Sequence, residues 1–386
     1  MSTTTHDSHG TVLVDGVASF PIALSPPPPR GARSPAGADG LAEVVAAGIT
    51  FLRVGPRRGH WTDDALVDAG SWNDAAAAQG IHTWIALGEL AHAQPDTPED
   101  AQLQHVVSTL KDSPGFGIWK GQEEPFTRGF TGASLQHAFE ATGAVDPDHL
   151  FVIIEAPRGS ATDLAQYSAV CSGHGVDIYP VAFGLADPDL SQVGRWTRTI
   201  RRITPGRSVF TTLQICFSGS DDPAGSGAFV LPTHRQARFM AYDAIINGAR
   251  GIVFFGGDNP TCQNPADAAL GWNWTFWNDV LKGLVAELGR HGRLYPALVV
   301  PDTGPRLRAD DPGTEVCSRR VGETIWVIAA RRGRGRRDVT ITGLPAAVTR
   351  GRHYRSNRPV TVRRGAFTDT FSQWDVHVYH FRDSTT

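Results

Sequence analysis

Eight short apolar segments alternate with longer helix-like segments over residues 17–292, and this alternation is the feature that most limits the fold. Each segment is a continuous apolar run, which is typical of parallel strands buried on both faces. The segments cover residues 20–24, 49–55, 82–88, 116–121, 149–157, 176–183, 208–217 and 251–257. Eight strands separated by helices within roughly 270 residues match a (β/α)8 barrel in number and length.

The segments between these runs carry helix start and stop signals. "DGLAEVVAAG" begins with a capping aspartate and ends in glycine, and "TPEDAQLQHVVSTLKD" opens with threonine, proline and two acids. A doubly wound open sheet is the alternative, but it normally has a glycine-rich phosphate-binding turn after its first strand. This chain has "SPPPPRGARSPAG" there. We therefore predict an α/β fold, a (β/α)8 TIM barrel over residues 17–292.

After residue 293 the pattern changes to short strands that alternate apolar and polar residues, as in "WDVHVYHFRD". This pattern is typical of half-exposed antiparallel strands, so we predict a small all-β sandwich over residues 293–386. For residues 1–16 we predict a flexible N-terminus. We interpret the basic "RRGRGRR" (331–337) as a solvated hairpin turn, because no aromatic residues interleave with its arginines.

Composition argues against several classes of partner. A net charge of −3 gives no attraction toward nucleic acid or an anionic membrane, and no window reaches the ~18 apolar residues of a membrane-spanning helix. The four cysteines, Cys171, Cys216, Cys262 and Cys317, lack CxxC spacing, so we predict neither a disulfide framework nor a structural zinc site. Without a visible signal peptide we expect a cytoplasmic protein, with secretion not excluded.

Polar residues gather at the carboxyl ends of the predicted strands, which is where (β/α)8 barrels place their active sites. Carboxylates can protonate a leaving oxygen, and indole faces can stack on sugar rings, so this combination favours a carbohydrate site. The candidates are Arg53, Arg57, Glu89, Gln122, Glu123, Glu124, Glu155, Arg158, Tyr179, Gln214, Ser218, Asp258, Asn259, Trp272, Trp274 and Trp277, of which the helical spacing of Trp277 favours a core position.

These residues also have structural interpretations. A single strand-end carboxylate is more often a salt-bridge partner or a helix cap than a catalyst, and Arg53 and Arg57 are available as partners. Trp272 and Trp274 could instead anchor the last helix to the barrel. The convergence of several carboxylates on one rim favours function. The histidines show no HExxH or paired spacing, so we expect no metal and no cofactor.

Several of these motifs resemble the glycoside-hydrolase-like barrels of the β-galactosidase superfamily. "VLVDGVASFPIAL" is similar to the entry strand of that family, and "IWKGQEEP" resembles its fourth-strand "DEP" or "NEP" motif. "VDIYPV" resembles the sixth-strand "D-x-YP" element. "TTLQICF" with "RQARFMAYDAIINGARGIVFF" resembles the segment across strands seven and eight, and "GAFTDTFSQWDVHVYHF" resembles the closing strands of the following sandwich.

The resemblance implies that Glu124 is the acid/base residue, with Glu123 beside it. It also reveals a departure, because retaining members carry a nucleophilic glutamate at the end of strand seven, where this chain has Gln214. Three alternatives remain open. Glu155 or Asp258 supplies the second carboxylate; the substrate's own N-acetyl group attacks, held by Gln214 or Tyr179; or the barrel binds carbohydrate without catalysis.

We therefore predict a glycoside hydrolase or related carbohydrate-active enzyme that cleaves an O-glycosidic bond by carboxylate chemistry. Its general acid is Glu124, with a pKa raised by Glu123 and burial, and Glu155 is the second carboxylate. The predicted substrate-binding residues are Arg53, Tyr179, Gln214, Asp258, Trp272 and Trp274. An oligosaccharide or glycoside is the expected partner, with no nucleic acid and no membrane. The alternative is a non-catalytic carbohydrate-binding barrel, and the oligomeric state is not predicted.

Overall fold

The computed structural model describes residues 2–56, 59–182, 187–215 and 230–383. Three strands, β1 (Thr4–His6), β2 (Val12–Val14) and β3 (Val17–Ser19), form an antiparallel sheet at the start of the chain. The Thr4 amide donates to the Asp148 carbonyl at 3.0 Å, which ties this sheet to the barrel. The structure therefore places strands where the sequence analysis expected a flexible segment.

The next eight strands are parallel and close into a barrel, as predicted. They are β4 (Ile22–Ser25), β5 (Phe51–Val54), β6 (His82–Ala86), β7 (Phe116–Glu123), β8 (Leu150–Glu155), β9 (Gly173–Ile178), β10 (Ser208–Gln214) and β11 (Gly251–Phe255). They pair in chain order, and β11 closes the barrel on β4. Each strand lies within or overlaps one of the eight apolar runs, so the (β/α)8 barrel is confirmed.

Helices surround the barrel. Asp39 and Thr97 accept hydrogen bonds at the first turns of α1 and α3, as their sequence signals predicted. The α-helices are α1 (Gly40–Ala47), α2 (Asp63–Ala78), α3 (Pro98–Leu110), α4 (Gly132–Val145), α5 (Ala161–Ala165), α6 (Gln192–Ile203), α7 (His234–Ile246), α8 (Pro265–Leu270), α9 (Trp274–Phe276), α10 (Lys282–Leu288) and α11 (Tyr295–Leu298). Short 3-10 turns span Gly88–His92, Gln166–Val170 and Pro260–Cys262, and Trp277–Leu281 is a π-helical turn.

Alternate residues of the barrel strands face two different cores. One set, including Ile118, Val152 and Phe210, fills the barrel interior. The set between them, including Trp119 and Ile153, packs outward against the helices. Because side chains alternate along a strand, the position of a strand-end residue in this alternation decides whether it faces the barrel mouth or the helical layer.

Two antiparallel sheets follow the barrel, which confirms the predicted β-sandwich. Their strands are β12 (Arg308–Ala309), β13 (Thr314–Val321), β14 (Thr324–Arg331), β15 (Arg337–Thr342), β16 (Arg350–His353), β17 (Pro359–Thr361), β18 (Ala366–Phe371) and β19 (Asp375–Arg382). One sheet has the order β12-β15-β18 and the other β13-β14-β19-β16-β17. The basic segment 331–337 therefore crosses from one sheet to the other, and its interpretation as a hairpin turn was wrong.

The cysteines differ in part from expectation. Cys171 and Cys317 are free, but Cys262 is disulfide-bonded, while Cys216 lies outside the described residues. The prediction against disulfides is therefore wrong for Cys262. Over the described ranges, no helix combines the length and the apolar character needed to span a membrane.

Candidate active site

The end of β7 carries the glutamate pair on a local irregularity. The register with β8 shifts between Lys120 and Glu123, so that three residue steps on β7 match two on β8. Glu124 follows with φ of 47°, in the left-handed region, and its amide donates to the Ile154 carbonyl at 2.7 Å. Such a bulge and a non-glycine residue at positive φ redirect side chains, at a backbone cost of about 1–3 kcal/mol.

Glu123 is held by two cations. Arg53 Nη2 lies 2.5 Å from its carboxylate, and Lys120 forms a second ion pair with the same oxygen. Lys120 points into the barrel and is 4% exposed, and burial, together with Arg53, holds its pKa well below the usual range. Glu123 is therefore paired with cations and is not an isolated negative charge beside Glu124. Lys120 is not among the predicted site residues, although it lies in the "IWKGQEEP" segment.

Asp177 is the carboxyl group that the structure brings to Glu124. It lies on β9 in the alternation of Gly173 and Gly175, where an added Cβ would meet barrel-interior side chains, so it faces the barrel mouth. Its carboxyl group lies beside that of Glu124, and the interaction between the two groups favours the protonated form of Asp177. Burial, reinforced by the charge of Glu124, raises the pKa of Asp177 to about 7. The pair therefore retains a proton at near-neutral pH.

Tyr179 completes this group from just beyond the end of β9. Its ring stacks on Phe255 with the centroids 5.5 Å apart, and its hydroxyl hydrogen-bonds to Asp177. Burial and the neighbouring Asp177 raise the pKa of Tyr179 well above 10, so the hydroxyl stays protonated and donates. Glu124, Asp177 and Tyr179 thus form a group of interacting acidic side chains beside Arg53 and Lys120.

Gln214 occupies the end of β10, and its amide is fully used by the main chain. Its Nε2 donates to the Val181 carbonyl at 2.7 Å, and its Oε1 accepts from the Val181 amide at 2.8 Å. With 1% of its surface exposed, Gln214 holds the segment after β9 in place. The structure therefore gives it a structural role in place of the predicted contact with sugar.

Glu155 does not join Glu124. It follows Ile153 in the outward-facing alternation of β8, its side chain is 0% exposed, and its Oε1 lies 3.5 Å from Nε2 of the equally buried His174. Its charge also acts on Tyr167 and Cys171, which belong to the helical layer. The prediction that Glu155 supplies the second carboxylate is therefore corrected, because the strand alternation turns this side chain away from the mouth.

Trp272 and Trp274 are both 0% exposed and pack edge to face with their rings 5.0 Å apart. Trp272 donates its indole N–H to the Pro26 carbonyl at 3.1 Å. Neither indole face is open to a sugar, so these residues anchor the last helical segment, as their structural interpretation proposed. The half-buried Trp72, which the sequence analysis did not select, does line the open cavity described next.

A cavity of about 1250 Å³ opens over the ends of β4 to β7. Of the predicted site residues, Arg53, Gln122, Glu123 and the exposed Asp258 line it. Glu89 also lines it, held by the Trp61 amide at 3.1 Å and by an ion pair with His60. The group formed by Glu124, Asp177 and Tyr179 lies beside the cavity and does not line it. Lys120 and Arg53 lie between the two, because both line the cavity and both interact with this group.

Two further candidates, Arg57 and Ser218, lie outside the described residues. Within the described ranges, no group of three or more His, Cys, Asp or Glu side chains is arranged to hold a metal ion.

Comparison with known proteins identifies the fold. No family model matches the chain, and no curated protein sequence matches it. Among solved structures, one described as a glycoside hydrolase is 14% identical with a TM-score of 0.61, over 100% of this chain and 97% of that one. A glycoside hydrolase family 5 protein from Bacteroides vulgatus ATCC 8482 is 13% identical with a TM-score of 0.62, over 100% and 94%.

An α-amylase from Geobacillus thermoleovorans, solved in complex with acarbose, is 11% identical with a TM-score of 0.60, over 95% of this chain and 99% of that one. These likenesses run through the barrel and the following sandwich together. The chain therefore shares the fold of these solved structures over nearly its whole length: a (β/α)8 barrel followed by an antiparallel β-sandwich.

Proposed function

We propose that this protein is a glycoside hydrolase that cleaves an O-glycosidic bond in an oligosaccharide or glycoside, with Glu124 as general acid. The observation that carries the proposal is the Glu124–Asp177 carboxyl pair at the mouth of a barrel with the glycoside hydrolase architecture. Two carboxyl groups that hold one proton between them keep an acid available near neutral pH. The adjoining cavity is large enough for more than one sugar ring.

The neighbouring cations support this assignment. Arg53 and Lys120 bind Glu123, so the negative charge nearest to Glu124 along the chain is balanced. Glu124 would donate the shared proton to the oxygen of the leaving sugar, so that Glu124 and Asp177 are then both carboxylates and Asp177 carries one of the two negative charges. Tyr179 would stabilise that charge through the hydrogen bond that it already makes to Asp177.

The test is turnover of a panel of aryl glycosides and polysaccharides by the wild type, Glu124→Gln and a matched control, Glu323→Gln. Glu323 lies in the sandwich, paired with Arg382, so its substitution changes a glutamate of equal size outside the barrel. We expect Glu124→Gln to lower kcat/KM by about 10²–10⁴-fold, as loss of a general acid does, and the control to keep the wild-type value. Unchanged turnover in Glu124→Gln would refute the assignment.

Leaving-group dependence separates an acid from a residue that only supports the fold. A 2,4-dinitrophenolate leaves without protonation, whereas a simple alcohol does not. We therefore expect Glu124→Gln to retain much more of the wild-type rate on 2,4-dinitrophenyl glycosides than on alkyl glycosides. An equal loss on both substrates would argue against general acid catalysis by Glu124.

A specific observation favours a second candidate, a non-catalytic carbohydrate-binding barrel. The residue at the end of β10 is Gln214, so that position offers no carboxylate. Its amide oxygen and nitrogen both hydrogen-bond to the main chain of Val181. For this candidate we expect calorimetric titration with oligosaccharides to give binding without turnover, and Glu124→Gln to leave both unchanged.

A further inference from the structure

Lys120 is a cation inside the barrel that the proposed hydrolysis does not use as a reacting group. It lies on β7 two residues after Ile118, so the strand alternation turns both side chains toward the barrel interior. Lys120 is 4% exposed, and it lines the cavity of about 1250 Å³. A buried lysine that borders an open cavity is placed to meet a small ligand there.

The contacts of Lys120 leave positive charge in excess. Arg53 Nη2 and Lys120 Nζ both pair with the same oxygen, Oε2 of Glu123. Arg53 Nη1 is buried and has no hydrogen-bond partner among the described residues. Arg128, which also lines the cavity, adds a third positive charge that acts on Lys120. A guanidinium keeps its proton, so the amine of Lys120 is the group that can relieve this excess by losing one.

The pKa of Lys120 agrees with this charge balance. Burial, together with the charges of Arg53 and Arg128, lowers it well below its usual range. The charges of Asp177 and Glu124 act in the opposite direction but do not reverse the effect. The uncharged amine is the nucleophilic form of lysine, and burial beside another cation makes that form more abundant than in an exposed lysine.

We propose that Lys120 is a carbonyl-capture site, whose amine forms a reversible imine with a hydroxyaldehyde such as the open-chain form of a small reducing sugar. This inference goes beyond the proposed function, since it concerns a covalent adduct and requires no glycosidic bond. The cavity suits such a ligand, because the polar side chains of Glu89, Gln122 and Arg128 line it together with Lys120 and can bind hydroxyl groups.

Glu123 completes the chemistry as a proton relay, because its carboxylate contacts the Lys120 amine. The nitrogen lone pair bonds to the carbonyl carbon, and Glu123 moves one proton from the nitrogen to the oxygen, which gives a carbinolamine. Glu123 then moves the second proton from the nitrogen to the same oxygen, the C–O bond breaks, and water leaves as the C=N bond forms. Amine and aldehyde thus give imine and water, and neither an oxidant nor a reductant is needed.

The test traps the imine by reduction and compares the three lysines of the chain, Lys111, Lys120 and Lys282. The protein is incubated with glycolaldehyde and cyanoborohydride at about pH 7, and mass spectrometry of the digest measures the adduct at each lysine. We expect Lys120 to be labelled at least about tenfold faster than the other two, because an exposed lysine is almost wholly protonated at this pH. Without the reductant no label should remain, since an imine hydrolyses.

Two variants connect the label to the charges around the amine. Lys120→Arg keeps a cation for Glu123 but cannot form an imine, so the fast adduct should disappear from the mass of the intact protein. Arg128→Gln removes a charge that lowers the pKa of Lys120, so labelling of Lys120 should slow by about threefold. Arg334→Gln is the matched control, because Arg334 lies in the sandwich with 80% of its side chain exposed, and it should leave the rate unchanged.

The outcomes are separate from those of the hydrolysis assays. Labelling of Lys120 no faster than that of Lys111 and Lys282 would show that Glu123 holds it as an ordinary ammonium ion, and it would overturn the inference. An adduct that forms equally well without reductant would not be an imine and would overturn it too. Neither result depends on glycoside turnover, so the proposed function can stand or fail independently.

Discussion

Asp177 and Glu155 are both acidic residues near the ends of adjacent barrel strands, yet the structure gives them opposite surroundings. Asp177 faces the barrel mouth, interacts with Glu124 and Tyr179, and has a pKa raised to about 7. Glu155 faces the helical layer and meets His174 at 3.5 Å. The direction of the side chain, set by the strand alternation, therefore decides which carboxyl group can take part in chemistry.

The contrast between Asp177 and Glu155 is tested most directly by replacing each acid with its amide. Asp177→Asn should lower kcat on a confirmed substrate by about 10²–10³-fold, because it removes the carboxyl group that shares a proton with Glu124. Glu155→Gln should leave kcat and KM within about 3-fold of the wild type, since Glu155 is fully buried among residues that do not line the site. Steady-state kinetics, with thermal unfolding to confirm that both variants fold, gives the answer. The reverse order of effects would restore Glu155 as the second carboxylate.

The same contrast predicts a pH dependence. Below about pH 7 the Glu124–Asp177 pair holds one proton, and above about pH 7 it loses that proton. The reason is that the pKa of Asp177 in the folded protein is raised to about 7. The positive charges of Arg53 and Lys120 lower the pKa of Asp177 and so limit how far it is raised. We expect kcat/KM of the wild type and of Glu155→Gln to fall by about tenfold per pH unit above that point. A rate–pH profile that stays flat from pH 6 to 9 would contradict the shared proton.

The sequence was sufficient for the architecture because its signals are local. Strands buried on both faces leave continuous apolar runs, and Asp39 and Thr97 lie next to the helices that they cap. The site could not be predicted in the same way, because it depends on contacts between segments that are distant in sequence. The direction of the Glu155 side chain is known only once its strand is placed in the barrel, and the irregularity that positions Glu124 appears only when β7 pairs with β8.

Other misses have related causes. Asp177 could have been found, since "VDIYPV" places it two residues before Tyr179 on the same face, but its run was treated as wholly apolar. Trp272 and Trp274 carry no sequence signal that distinguishes a buried indole from one stacked on a sugar. Their burial follows from packing against each other and against Pro26, which is far away along the chain.

A second comparison sets Asp177 against Gln214, which lie near the ends of the neighbouring strands β9 and β10. Gln214→Glu would introduce a carboxylate at the position where the resembling family has its nucleophile. Its Oε1 could still accept from the Val181 amide, but the Val181 carbonyl would lose its donor and face a like-charged oxygen. We expect urea unfolding to show a loss of about 1–3 kcal/mol, with no gain of turnover over the wild type on aryl glycosides. A clear gain in turnover would show that the position can serve as a nucleophile after all.

The smallest expected effect concerns stability at Asp177 itself. Its pKa is raised from 3.8 to about 7 by burial and by Glu124, so its protonated form is the one that favours the folded state. That contribution is fully present below the unfolded pKa and is lost as pH rises through the folded pKa. Asp177→Asn cannot ionise, so relative to the wild type it should gain stability between pH 5 and pH 8, by about 1–3 kcal/mol, since the raised pKa already includes the attraction to Arg53 and Lys120. Denaturant unfolding of both proteins at pH 5 and pH 8 measures this difference. If the stability advantage of Asp177→Asn is smaller at pH 8 than at pH 5, or is reversed, then the two cations already hold Asp177 ionised. That outcome would argue against a proton shared with Glu124.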